Sequence, residues 1–129
     1  MDIGSCVEFD YTVEESDLAK ALSVDPQDDF PAVFATSRMV ALMELAAARL
    51  MKPLLAVGEL SVGVNVTVNH LAATLPGETV VAKAEYQGRA GKLYRFDVAL
   101  YDSKGLAGEG SHTRAIVETD RLIKGAQQD

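Results

Sequence analysis

One segment constrains the fold more than any other. Residues 36–52, TSRMVALMELAAARLMK, are built mainly from Ala, Leu, Met and Arg and are followed by Pro53, which predicts a long α-helix that stops there. With about 100° per residue and Thr36 at zero, Lys52, Arg38 and Arg49 fall at about 160°, 200° and 220° and mark one narrow polar stripe. Met39, Val40, Met43, Ala46, Ala47, Leu50 and Met51 cover the rest, so the helix is expected to be nearly encased in protein. Glu44, at about 80°, lies off the stripe on the flank of the apolar face, and Thr36 heads that face.

The material to encase it lies on both sides. Val7, Phe9, Tyr11 and Val13 alternate with Cys6, Glu8, Asp10 and Thr12 as a half-buried first strand. Residues 14–31 are polar and broken by Asp25-Pro26 and Phe30-Pro31. A short helix is expected at Ser16–Leu22, and the stretch reads either as a surface connection or as a lid. After the helix come four runs, Leu60–Leu71, Thr79–Gln87, Lys92–Tyr101 and Leu106–Glu118. Pro76-Gly77 and the hairpin turns Gly88–Gly91 and Asp102–Gly105 separate them. In the first run Val62, Val64, Val66, Val68 and His70 share one parity and are expected to face the core together. Residues 119–129 read as a polar, fraying tail. Strand, lid, helix and four antiparallel strands predict an α+β chain whose sheet curls around its one long helix, the hotdog arrangement. Such folds commonly dimerise because one edge and part of the helix stay uncovered.

Composition narrows the function classes. A chain of 129 residues, 48% apolar and 24% charged, is one domain able to bury a core without staples. Its one cysteine, Cys6, excludes an intramolecular disulfide, and no Cys/His spacing suggests a metal site. A net charge of −7 argues against nucleic acid as a partner. No apolar run approaches the roughly 20 residues that cross a bilayer. The acidic start MDIGSCVEFD is unlike a secretory signal, so a soluble cytoplasmic protein is expected.

Few side chains carry chemistry, and each has a plain structural reading beside the functional one. His70 completes the core-facing parity and is either a satisfied core histidine or a base. Glu44 is a carboxylate beside apolar helix residues, where an unpaired charge is expensive. Thr36 is either the N-cap or a reactive hydroxyl at a helix N-terminus, where free N–H groups suit a developing oxyanion. A hydroxyl, a carboxylate and an imidazole on one cavity would support acyl transfer or proton abstraction. Gly63 either leaves its backbone open to a ligand or bends the sheet. His112, where Gly108, Gly110 and Ser111 leave room for a ligand or a second subunit, reads either as part of such a site or as a surface or interface histidine. Arg89, Lys92 and Arg95 form a local basic patch, either a solvated turn or a spot for a ligand's phosphates.

Three blocks go further. FPAVFATSRMVALMELAAARLM (30–51), VNHLAATLPGETV (68–80) and GSHTRAIV (110–117), with the Ser61–Gly63 segment, resemble the fluoroacetyl-CoA thioesterase family of single-hotdog proteins. The F-P-x-V-F-A-T block, the mid-helix Met-Glu and the H-x-A-A-T-x-P-G turn occur in order. The resemblance implies a homodimer, or a dimer of dimers, that hydrolyses acyl-CoA thioesters at the subunit interface. It implies no cofactor beyond the coenzyme A of the substrate. It carries a catalytic triad onto Thr36, Glu44 and His70, and substrate contacts onto Gly63, Arg114 and a gating Phe30. Residues 14–29 and Ser37-Arg38 depart from the family pattern, so the acyl group implied is small or short-chain. The alternatives are a non-catalytic acyl-CoA or small-ligand binding module and a hotdog hydratase.

Overall fold

The alternating runs assemble into one antiparallel sheet in the computed structural model, whose described residues are 1–127. Strands β1 (Cys6–Thr12), β2 (Glu59–His70), β3 (Thr79–Ala90), β4 (Leu93–Asp102) and β5 (Gly105–Glu118) lie in the order β1-β3-β4-β5-β2. The sheet curls around helix α1 (Thr36–Met51), the hotdog architecture expected from the pattern. Met39, Leu42, Met43, Ala46, Ala47 and Met51 of α1 are buried in one core with Val80, Ala82 and Ala84 of β3 and Phe96, Val98 and Leu100 of β4. Their i, i+3, i+4 spacing is what one helix face supplies to a sheet. Pro53 ends the helix through a single 3₁₀ turn, Lys52–Leu54. Among the described residues no helix is long and apolar enough to cross a membrane.

Five expectations are corrected, the last of them in the lid-like stretch. The helix is covered on one side only: Leu45 is 45% exposed and Ala41 and Ala48 are half-buried, between Arg38, Arg49 and Lys52. A single sheet of five strands reaches around half of the helix and leaves this apolar seam open. The single parity of β2 also fails. Gly63 pairs with Arg114 and Asn65 with Thr113, so Val64 is an extra residue, a β-bulge. Gly63 thereby shares the inner face with Val66, Val68 and His70, while Val62 and Val64 do not. The first hairpin turn sits at Gly91-Lys92, because β3 runs on to Ala90. Residues 119–127 form a second helix, α2 (Thr119–Gln127), anchored by the Thr119 amide on the Gly58 carbonyl at 2.9 Å. Asp120 in its first turn and Lys124 in its last suit the helix dipole. Gln128 and Asp129, the end of the expected tail, lie outside the described residues.

The lid-like stretch is fastened at its start. In place of one helix at Ser16–Leu22 there are two 3₁₀ turns, Glu15–Asp17 and Ala19–Leu22, because Leu18 stays extended to bridge Phe34. The Ala35 amide donates to the Asp17 carbonyl and the Ala19 amide to the Val33 carbonyl. The Asp17 side chain, 1% exposed, accepts from Tyr11 Oη (2.6 Å), the Glu14 amide (2.8 Å) and Arg38 Nε (2.9 Å). Arg38 and the start of the 14–31 stretch are thus partners in one network that sets where α1 begins.

Burial opposes ionisation of Asp17, but the bonds from Tyr11, the Glu14 amide and Arg38 outweigh it and hold the carboxyl below its ordinary 3.8. A folded-state value below the unfolded one stabilises the fold fully above about pH 4, and that contribution disappears as pH falls through the folded value. Arg38 is itself partly solvated, so the ion pair adds less than the buried hydrogen bonds. Urea titration of Asp17→Ala at pH 7 should show a loss of roughly 2 kcal/mol. The gap to the wild-type chain should close as the pH is taken below about 4.

Candidate active site

The N-terminus of α1 meets the end of β2. The N-cap position belongs to Ala35 (φ −73°, ψ 142°), so Thr36 is the first helical residue and its hydroxyl caps nothing. That hydroxyl lies 2.8 Å from His70 Nδ1. The first amide of the helical ladder is Met39 N–H, donated to the Ala35 carbonyl, and the N–H groups of Thr36, Ser37 and Arg38 lie ahead of it. The hydroxyl, the imidazole and a helix N-terminus therefore share one mouth. It opens into a cleft of about 430 Å³ walled by Pro31, Val33, Phe34, Ala72 and Ala73.

The H-x-A-A-T-x-P-G turn holds His70 there. The Ala107 carbonyl accepts from the amides of Leu71 (2.7 Å) and Ala72 (3.2 Å). Buried Thr74 donates to Asp102 Oδ2 at 2.8 Å, and its carbonyl takes the Phe34 amide at 2.8 Å. One threonine so ties the residues before α1 to the β4–β5 turn. Burial lowers the pKa of His70 below its ordinary 6.5, opposed in part by the Ala72 backbone, so the ring is neutral at pH 7. Its Nε2 is buried without a hydrogen-bond partner. In the tautomer with Nε2 protonated, Nδ1 accepts the Thr36 proton, the direction that activates a hydroxyl.

Glu44 belongs to a second cluster. It lies eight residues from Thr36, about 12 Å along the helix axis, and does not line the Thr36–His70 cleft. Glu44 Oε1 accepts from Arg114 Nη1 at 3.0 Å, which answers the cost of a carboxylate on that flank. Arg114 also donates through Nε to Ser61 Oγ and through Nη2 to the Ser61 carbonyl, both at 3.0 Å, and its Nη1 lies 3.1 Å from His112 Nε2. Gly63 makes room for this cluster: a methyl group at its Cα would overlap Glu44 Oε1 and crowd His112 Cε1 at 3.2 Å. The bulge and the glycine act together there.

A larger opening of about 460 Å³ lies on the outer face of the sheet, among Asn69, Lys83, Glu85, Asp97, Tyr101 and Glu109. Three carboxylates against one ammonium repel a polyanionic ligand, and no nucleophile and base meet there. Among the described residues no three His, Cys, Asp or Glu side chains converge to hold a metal ion.

The comparisons with known proteins agree with the geometry. Residues 13–120 match the fluoroacetyl-CoA-specific thioesterase family. The chain belongs to that family. It is 36% identical to the fluoroacetyl-CoA thioesterase of Streptantibioticus cattleyicolor over 124 residues, which cover 95% of this chain and 89% of the relative. A crystal structure of a fluoroacetyl-CoA thioesterase superimposes with a TM-score of 0.95 at 35% identity, covering 100% of this chain and 97% of that one. A variant of such an enzyme in complex with fluoroacetate and CoA superimposes with a TM-score of 0.90 at 35% identity, covering 95% and 99%.

Within this fold Thr36 and His70 are brought together, and Glu44, Gly63 and Arg114 form the second group. Phe30 is half-exposed beside Pro31, while Phe34, not singled out in the sequence, is buried in the cleft wall. His112 is not a surface histidine: it is 2% exposed. Its even parity with Arg114 on β5 was the available signal. Of the basic patch, Arg95 donates to the Gln87 carbonyl at 3.0 Å and Arg89 lies over the Tyr94 ring.

Gly63→Ala separates site from scaffold. The tip of Glu44 can turn into solvent, but the buried His112 ring must also give, so thermal unfolding should report a loss of about 1–3 kcal/mol. A crystal structure of the variant should show Glu44 turned away from Arg114.

Proposed function

We propose that this chain hydrolyses a small or short-chain acyl-CoA thioester to the free acid and CoA. The observation that carries the reading is the 2.8 Å contact between the Thr36 hydroxyl and His70 Nδ1 at the mouth of a helix N-terminus, in a member of a thioesterase family. Neutral His70 takes the proton of the attacking oxygen, either the Thr36 hydroxyl or a water held by it. The thioester oxygen becomes an oxyanion facing the first amides of α1. The C–S bond breaks, and the proton passes from His70 to the departing sulfur. Where Thr36 is the attacking oxygen, a water deprotonated by His70 then hydrolyses the acyl-Thr36 ester, releasing the acid and returning the proton to the Thr36 oxygen. The apolar cleft walls suit a small acyl group. The fluoroacetyl-CoA enzymes among the relatives support the CoA ester class, and the changes at residues 14–29, Ser37 and Arg38 support a different acyl preference.

The working unit in this reading is a homodimer. β2 is an edge strand with Val64 54% exposed, beside the open seam of Ala41, Leu45 and Ala48 on α1. An unpaired strand edge next to an apolar helix face favours a second copy. Glu44 borders the same seam, so a partner there would complete the walls of both clusters.

A thiol-release assay over acyl-CoAs of increasing chain length should show turnover that is highest for the shortest acyl groups. His70→Ala and Thr36→Ala should each lower kcat by about 100-fold or more. Tight binding of acyl-CoA with no thiol released would overturn the hydrolase reading. Sedimentation should show a dimer for the wild-type chain and a monomer for Val64→Lys, which places a charge on the open edge.

A further inference from the structure

His112 is a buried titratable group, 2% exposed, that this mechanism leaves unused. Its Nδ1 lies 2.7 Å from the Asn65 carbonyl oxygen, which only accepts, so Nδ1 carries a proton. Its Nε2 lies 3.1 Å from Arg114 Nη1, which only donates, so Nε2 carries a lone pair. One protonation state satisfies both contacts: the neutral ring protonated at Nδ1. The bulge makes this possible, since Asn65 is the first residue after Val64 to re-enter register with β5. Arg114 Nη1 then has both hydrogens spoken for, one by His112 and one by Glu44 Oε1. Its Nε and Nη2 are held by Ser61. The guanidinium plane is fixed from three sides, and the fourth presents a donor to the Glu44 carboxylate.

We propose that His112 is a positioning residue, which in its neutral form locks Arg114 and through it orients the Glu44 carboxylate, the group that the family resemblance adds to Thr36 and His70, and which releases both on protonation. A proton on Nε2 would set two donors and two positive charges 3.1 Å apart. The charged groups facing the ring are Arg114 on its own strand and Glu44 on α1; β2 presents the Asn65 carbonyl and β4 the Phe96 ring. Burial first, and then Arg114, lower the pKa of His112 below 6.5, against the opposing pull of the Asn65 carbonyl and Glu44. The lock is therefore closed at neutral pH and opens in acid.

The catalytic part of this inference rests on the thioesterase reading; the protonation part does not. The chain has two histidines, His70 and His112, so ¹⁵N imidazole NMR with a His70→Ala control assigns both. The expected spectrum shows the Nδ1–H tautomer of His112 persisting below pH 6.5. An Nε2–H tautomer would overturn the lock. Kinetics of two variants complete the test. His112→Gln places a non-titrating acceptor near the Nε2 position, whereas His112→Asn keeps a donor for Asn65 and withdraws from Arg114. His112→Asn should lower kcat about tenfold with KM changed less than about twofold, as for lost orienting partners elsewhere. His112→Gln should retain most of kcat. The acid limb of log(kcat/KM), which steepens toward a slope of about 2 when two histidines must be neutral, should fall to about 1. Wild-type kcat and pH profile in both variants would overturn the positioning role and leave the thioesterase reading standing. A wild-type chain that turns over no acyl-CoA would remove the thioesterase reading and, with it, the catalytic role.

Discussion

The one-residue bulge at Val64 is the constraint on which the rest of the site depends. Strand side chains alternate, so Gly63 and His70, seven positions apart, would face opposite sides of a regular β2. The extra residue reverses the parity between them, and both then face α1. His70 reaches the hydroxyl of Thr36, and Gly63 clears the space in which Glu44, Arg114 and His112 meet. The same slip brings the Asn65 carbonyl onto His112 Nδ1. A single backbone irregularity thus serves two clusters about 12 Å apart along the helix.

The two clusters differ in kind. Around Thr36 the groups are neutral at pH 7, and their value lies in proton transfer beside unpaired helix amides. Around Glu44 a full ion pair is held by a saturated set of hydrogen bonds, and its value lies in a fixed orientation. An acidic chain of net charge −7 opposes capture of a polyanionic CoA ester over its surface as a whole. Local fields have to do that work, and Arg114 is already engaged by Glu44, Ser61 and His112.

Much of the fold was legible because its strongest signals are local. The helix at residues 36–51, its stop at Pro53 and the order of the elements along the chain follow from composition, period and turn residues. The Thr36–His70 meeting was legible too, since both lie at element ends that the pattern places on the core side. What escaped was relational. A bulge in a run of alternating valines leaves the composition unchanged, and only the register against β5 reveals it. The burial of His112 depends on which neighbour it faces, and its small flanking residues suggested openness. The apolar seam was half legible: Leu45 falls at about 180° on the wheel, inside the stripe of Lys52, Arg38 and Arg49, with Ala41 and Ala48 beside it, but the wheel does not record how far a five-stranded sheet reaches. The α2 helix was hidden by its polarity, which is that of a helix lying on a surface.

The central claim is that the thioester carbonyl is read at the start of α1 by Thr36 and His70. A crystal structure of the wild-type chain with a ketone-linked analogue of a short acyl-CoA, in which the scissile sulfur is replaced by methylene, tests it most directly. The account predicts the analogue's carbonyl within about 3.5 Å of the Thr36 hydroxyl, with its acyl end against Val33 and Phe34. An analogue seated instead on the outer face of the sheet, among Asn69, Lys83 and Glu109, would contradict it.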